Sequence, residues 1–230
     1  MVFSAKFTYS NMNINSFIDH TLLRTDATER DIIKHCNAAK QHRFYSVCIN
    51  SCYVPLAKQL LKNSSVKVCA TVGFPLGAVS TETKVFEAKQ AIESGAEEID
   101  MVMNIGFFKS QNYVEVLKDI RDVKSAIGNL PLKVIIEIDK LSKNGVVKAS
   151  EICMDAKADF VKTSTGFTKN GATLTAVKII RKTVKESCKI KASAGIHDYE
   201  TARKYIDIGV ERIGTSKGVE ISEGQLSIVA

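Results

Sequence analysis

Short, almost wholly apolar runs alternate with longer segments of helical period along nearly the whole chain. The runs are SFIDHT (16–21), FYSVCIN (44–50), VKVCATVG (66–73), EIDMVMN (98–104), LKVIIEI (132–138), DFVKTST (159–165), IKASAGI (190–196) and ERIGTS (211–216). Continuous apolar character rich in Val and Ile predicts parallel strands buried on both faces. Between them lie TERDIIKHCNAAKQH, VPLAKQLLK, TETKVFEAKQAIESG, YVEVLKDIRDVKSAIG, VKASEICMDAKA, TLTAVKIIRKTVKES and DYETARKYIDIG, which predict helices. In SGAEEID and IGVERIG a glycine closes the helix, where a C-cap favours positive φ.

Eight strand–helix units in 230 residues is about 29 per unit, close to a minimal βαβ step. No Pro/Gly/Ser-rich linker interrupts the rhythm, so residues 1–230 are expected to form a single (β/α)8 barrel of the α/β class. Residues 1–15 are expected to be an N-terminal extension or short helix, and 219–230 a C-terminal tail. An open doubly wound sheet would carry G-x-G-x-x-G after its first strand, and SFIDHTLLRTD carries none.

Hydrophobic residues make up 45% of the chain and charged residues 25%, the balance of a soluble globular protein. That excludes disordered, collagenous and low-complexity classes. The 32 Lys+Arg against 25 Asp+Glu leave a net charge of +7, which favours anionic partners. The basic residues are dispersed, there is no Trp, and no RNP-like or zinc-finger pattern occurs, so no nucleic-acid partner is expected. Salt-dependent retention on nucleic acid would test that exclusion. Six cysteines without C-x-x-C and four histidines without a ligand pair imply no metal site and a reducing, cytoplasmic location. No apolar stretch reaches the ~18 residues of a membrane span, and no signal-peptide core is present.

Candidate chemistry comes from charges inside apolar strands, since an unpaired buried charge is strongly destabilising. Lys162 interrupts DFVKTST, Asp100 interrupts EEIDMVMN and Lys191 interrupts KIKASAGI. Alternation groups Lys162 with Phe160 and Ser164, Asp100 with Val102 and Asn104, and Lys191 with Lys189 and Ser193. If those faces point inward, the three converge near the barrel mouth. The alternative is that each lysine is a strand-end residue snorkelling to water. A Lys–Lys–Asp cluster suits Schiff-base chemistry: a lysine is nucleophilic only when neutral, and desolvation and a neighbouring cation both favour that form. The carboxylate holds the second lysine and moves protons. Small residues at SAGIHD (193–198) and GTSKGVE (214–220) suit phosphate binding after strands seven and eight, with Lys217 as an added charge; the alternative for GTS is a helix N-cap.

On these residues the chain resembles the deoxyribose-phosphate aldolase family of class I aldolases, (β/α)8 barrels. The likeness spans roughly 16–218 and rests on IDHTLL (18–23), SVCIN (46–50), TVGFPLGA (71–78), GAEEIDMV (95–102), KVIIE (133–137), DFVKTSTGF (159–167), KASAGI (191–196) and RIGTS (212–216). The resemblance implies a cofactor-free lyase of deoxyribonucleotide breakdown. It would reversibly cleave the sugar phosphate 2-deoxy-D-ribose 5-phosphate to D-glyceraldehyde 3-phosphate and acetaldehyde. It places the Schiff base on Lys162 and the proton relay on Asp100 and Lys191, with Lys191 also easing proton loss from the nucleophile. Phosphate contacts are implied at Thr165, Gly166, Gly195, Gly214 and Ser216, with Asp19, Thr21 and Cys48 near the pocket; a homodimer is implied as well.

The chain departs from the family pattern in several places. Ala194 replaces a glycine, His197 an arginine, and Lys217 a serine; VIIEIDKLS replaces the commoner VIIET-LL, and the terminal tyrosine of some members is missing. The same trio would equally serve an aldolase of another phosphorylated aldehyde or ketose. A barrel that merely binds a sugar phosphate would be expected to have lost one of the three.

Overall fold

Each apolar run forms one strand in the computed structural model, which describes residues 13–229. The strands are β1 (Ile18–Leu22), β2 (Ser46–Ile49), β3 (Lys67–Val72), β4 (Glu98–Val102), β5 (Leu132–Ile135), β6 (Phe160–Lys162), β7 (Lys189–Ser193) and β8 (Arg212–Thr215). All neighbours pair in parallel in chain order, and β8 returns to β1 with Asp19 opposite Gly214. The result is a closed (β/α)8 barrel.

The helices are α1 (Glu29–His42), α2 (Val54–Leu60), α3 (Thr81–Glu93), α4 (Ile105–Lys109), α5 (Tyr113–Ile127), α6 (Lys143–Asp155), α7 (Leu174–Val184), α8 (Tyr199–Asp207) and α9 (Gly218–Val229). Their starts follow from local chemistry. Thr28, Ser80, Ser142, Thr173 and Asp198 each accept a first-turn amide, and Thr28 with Asp31 forms a reciprocal capping box.

The expected tail at 219–230 is instead the eighth unit's helix, α9. Its signal is weak because Gly218 opens it and Gly224 lies inside it, and interior glycine disfavours a helix. Tertiary contacts supply what propensity lacks. Ile221 is fully buried, Ser222 Oγ lies 3.1 Å from His42 Nδ1, and Gln225 Oε1 accepts the Ile14 amide at 3.1 Å. Ile14 opens a 3-10 turn, Ile14–Phe17, that leads into β1; the rest of the expected extension, 1–12, lies outside the described residues.

Alternation divides the strands into two environments. Val47, Ile49, Val68, Ala70, Val72, Ile99, Met101, Val134, Val161, Ile190 and Ile213 point outward and pack with the helices into one apolar core. The inward positions are different: Asp19, Glu98, Asp100, Lys133, Lys162, Lys191 and Arg212 are all buried. Barrel interiors are ordinarily filled by branched apolar side chains. This one is filled largely by charge.

Candidate active site

β4, β6 and β7 bring the three expected residues to one point. Lys162 Nζ lies 2.7 Å and Lys191 Nζ 2.8 Å from the same oxygen, Asp100 Oδ2. Lys162 and Lys191 are register partners on adjacent strands, so both ammonium stems rise side by side. The strand-end alternative does not hold, because both lysines are buried.

Beneath them the charges close into a ring. Lys191 reaches Asp19 Oδ2 at 2.6 Å, and Asp19 Oδ1 accepts from Arg212 at 3.0 Å and from Ser46 at 2.7 Å. Arg212 makes a forked contact with Glu98 at 3.1 and 3.2 Å, and Glu98 holds Lys133 at 2.6 Å. Lys133 returns to Asp100 Oδ1 at 2.9 Å. Asp100, Lys191, Asp19, Arg212, Glu98 and Lys133 thus alternate in sign around a closed circuit, as buried charges must if they are to stay ionised. The Arg212 guanidinium carbon also lies over Tyr45, 3.1 Å from the ring centroid.

Burial alone would protonate Asp100 and Asp19, but the surrounding cations outweigh it and hold both carboxyls well below their usual range. Burial likewise opposes charge on Lys191 and Lys133, yet Asp100 with Asp19, and Asp100 with Glu98, raise both ammonium groups above the ordinary lysine value. The three carboxylates and three cations of the ring are mutually balanced. Lys162 is the remaining cation, attached to the ring at Asp100 alone. Lys191 and Lys133 each bridge two carboxylates of the circuit, whereas Lys162 bridges none.

Lys162 also lines the floor of a cleft of ≈550 Å³. Thr21, Thr165, Gly166, Gly195, Gly214 and Ser216 line the same cleft, as do Arg24, Lys169 and His197. Asp19 and Cys48, expected near the pocket, are fully buried below it. Asp19 belongs to the ring, and the Cys48 thiol lies 3.6 Å from Asp100 Oδ2. Cys48, Cys69 and Asp100 stand close enough to hold a metal, but Lys133, Lys162 and Lys191 already occupy both oxygens of Asp100 and would repel a cation. Lys217 turns away from the cleft to pair with Glu220 at 2.8 Å. Gly214 makes room: a Cβ there would come within 2.9 Å of Lys191 Cε and 2.4 Å of Ser193 Oγ. Ala194 holds a left-handed φ of 69° where a glycine would be unstrained.

Sequence reasoning missed Lys133, Glu98 and Arg212. Lys133 carried the same signal as Lys162, a lysine inside an apolar run. Glu98 and Arg212 sit at strand starts, where a charge reads as solvated.

The sequence profile of the DeoC/LacD family aldolases matches residues 14–221. The chain belongs to this aldolase family. Among curated relatives, the deoxyribose-phosphate aldolase of Finegoldia magna is 53% identical over 213 residues, covering 93% of this chain and all of that protein. That of Carboxydothermus hydrogenoformans is 50% identical over 222 residues, covering 95% and 97%. Among solved structures, the aldolase QR15 superposes with a TM-score of 0.91 at 39% identity, covering 94% and 97%. The deoxyribose phosphate aldolase of Aeropyrum pernix, described as a unique tetramer, gives 0.85 at 30% identity, covering 94% and 92%.

Proposed function

We propose that the chain reversibly cleaves 2-deoxy-D-ribose 5-phosphate to D-glyceraldehyde 3-phosphate and acetaldehyde through a Schiff base on Lys162. The observation that carries this is the position of Lys162: among the described residues, the buried lysine that touches Asp100 at 2.7 Å from outside the balanced ring and also lines the cleft. The family and the named function of its relatives support the same reading.

In the cleavage direction the neutral Lys162 amine adds to C1 of the open-chain aldehyde, and loss of water gives a protonated imine. Removal of the C3 hydroxyl proton lets the C2–C3 bond break. Its electron pair passes to the imine as an enamine, and C3 leaves as the new aldehyde. Protonation at C2 and hydrolysis then release acetaldehyde and restore the amine. Asp100 and Lys191 relay these protons through water, a role supported by the hydrogen bond they share beside the reacting nitrogen. Backbone donors after β6, β7 and β8 take the phosphate.

All six cysteines are free, in keeping with a reducing compartment. No helix among the described residues is long and apolar enough to cross a membrane. Borohydride reduction in the presence of acetaldehyde, followed by peptide mass spectrometry, tests the reading. A reduced two-carbon adduct on Lys162 is expected, and none in Lys162→Arg, whose turnover should fall by more than roughly 10³-fold. Adducts scattered over surface lysines would overturn it.

A further inference from the structure

The loop that follows Lys162 begins where the β5–β6 ladder changes step. The Ile136 amide donates to the Lys162 carbonyl and the Ile138 amide to the Thr163 carbonyl, each at 3.0 Å. A regular parallel ladder would advance evenly on both strands between such bonds; here β5 advances two residues and β6 only one. The surplus residue is Glu137, held in the left-handed region at φ 51°, ψ 69°. A side chain is disfavoured there, and bulges beside active sites re-aim side chains. At Glu137 the re-aimed group is a buried carboxylate.

Every partner of that carboxylate lies in the β6–α7 loop. Oε2 accepts the Thr165 hydroxyl, and the Thr165 amide stands 3.3 Å from Oε2 and 3.4 Å from Oε1. The Thr168 hydroxyl donates to Oε1 at 3.3 Å. Two residues further on, Asp139 accepts from Asn170 Nδ2 at 2.5 Å. Thr165 Oγ1 in turn accepts the Phe167 amide at 3.1 Å, closing the turn around Gly166. A buried carboxylate beside a site for a dianion would repel it; here the loop's own donors satisfy its oxygens. They also occupy the Thr165 amide, which therefore shapes the loop from within. The Gly166 amide has no acceptor among the described residues, and Gly166 lines the cleft.

We propose that Glu137 is a positioning residue for the aldolase reaction: it fixes the loop after β6 so that the Gly166 amide meets the substrate's phosphate. Lys162 is held separately, by the β-ladder and by Asp100, so the loop and the nucleophile can fail independently. The inference rests on the aldolase reading above.

Kinetics of Glu137→Gln on 2-deoxyribose 5-phosphate and on unphosphorylated 2-deoxyribose test it. KM for the phosphorylated sugar is expected to rise about tenfold with kcat within about threefold, while kcat/KM for the unphosphorylated sugar falls by less than about threefold. Thr168→Val removes one donor and keeps the carboxylate; it should raise the same KM by a smaller factor, and it decides the matter if Glu137→Gln does not fold. Equal losses on both sugars, or an unchanged KM, would overturn the positioning role. Acetaldehyde trapping on the parental chain separates the two possible failures: no adduct on Lys162 there overturns the aldolase reading and the role of Glu137 with it.

Discussion

Glu98 and Ile99 are neighbours on β4 and face opposite ways. Ile99 joins the apolar layer between strands and helices, where contact is non-directional and the side chain needs only shape and volume. Glu98 joins the barrel interior, where each oxygen is matched to a particular donor on Arg212 or Lys133. The outer layer holds the barrel closed. The inner one leaves a single amine in surplus beneath a cleft. The same strands thus carry packing by shape on one face and matching of charge on the other.

The widest separation between the layers is expected from substitutions at these two positions. Glu98→Gln leaves Arg212 and Lys133 short of one negative charge and should destabilise the fold by about 3–5 kcal/mol. Ile99→Val should cost about 0.5–1.5 kcal/mol. Urea denaturation of both variants measures the gap, and equal losses would mean that the interior behaves as ordinary core.

Acid should act on the outer layer first. His20 and His35 stack there at 3.9 Å, and burial pushes their values down to about 2 and about 4. Below the unfolded value near ~6.5 the unfolded chain takes up protons that the folded one refuses, so stability falls as pH drops from there. For His35 the loss continues to about pH 4 and amounts to roughly 3 kcal/mol. The depressed carboxyls of Asp19 and Asp100 contribute stability that is present above the ordinary carboxylate range and lost only in stronger acid. The raised ammonium groups of Lys133 and Lys191 keep theirs until the pH passes the usual lysine range. Thermal unfolding between pH 7 and 4.5 should therefore show a slope that flattens in His35→Gln. An equally steep slope in that variant would move the acid sensitivity into the barrel.

The smallest effect is expected at the rim, where neither layer rules. Ala194→Gly removes a side chain from a left-handed position and should stabilise by ~1 kcal/mol, a rise in melting temperature of about 2–4 °C. A fall in melting temperature would show that the Ala194 methyl is a packing element of the cleft.

All eight strands were legible because apolar runs of this length have few other uses, and the segments of helical period between them marked seven of the helices, α1, α2, α3, α5, α6, α7 and α8. The helix α9 was not legible, because His42, Ile14 and the barrel wall hold it where its own residues do not. The trio of Lys162, Asp100 and Lys191 stood out as charges inside apolar strands. The ring beneath it could not be traced, since strand closure brings Asp19 and Arg212, 193 positions apart, into contact. Glu137 was visible within KVIIE, but its role depends on a bulge, and no spacing along one strand reveals how the next one pairs with it.

The closed circuit also bears on how this chain can change over time. A chain that replaces any one ring member passes through a form with an unmatched buried charge, whichever member it is. Neighbouring members are coupled, so their substitutions do not add. Ala194, His197 and Lys217 stand outside the circuit and carry no such constraint. In the ring, a lineage must exchange two opposite charges together or keep all six.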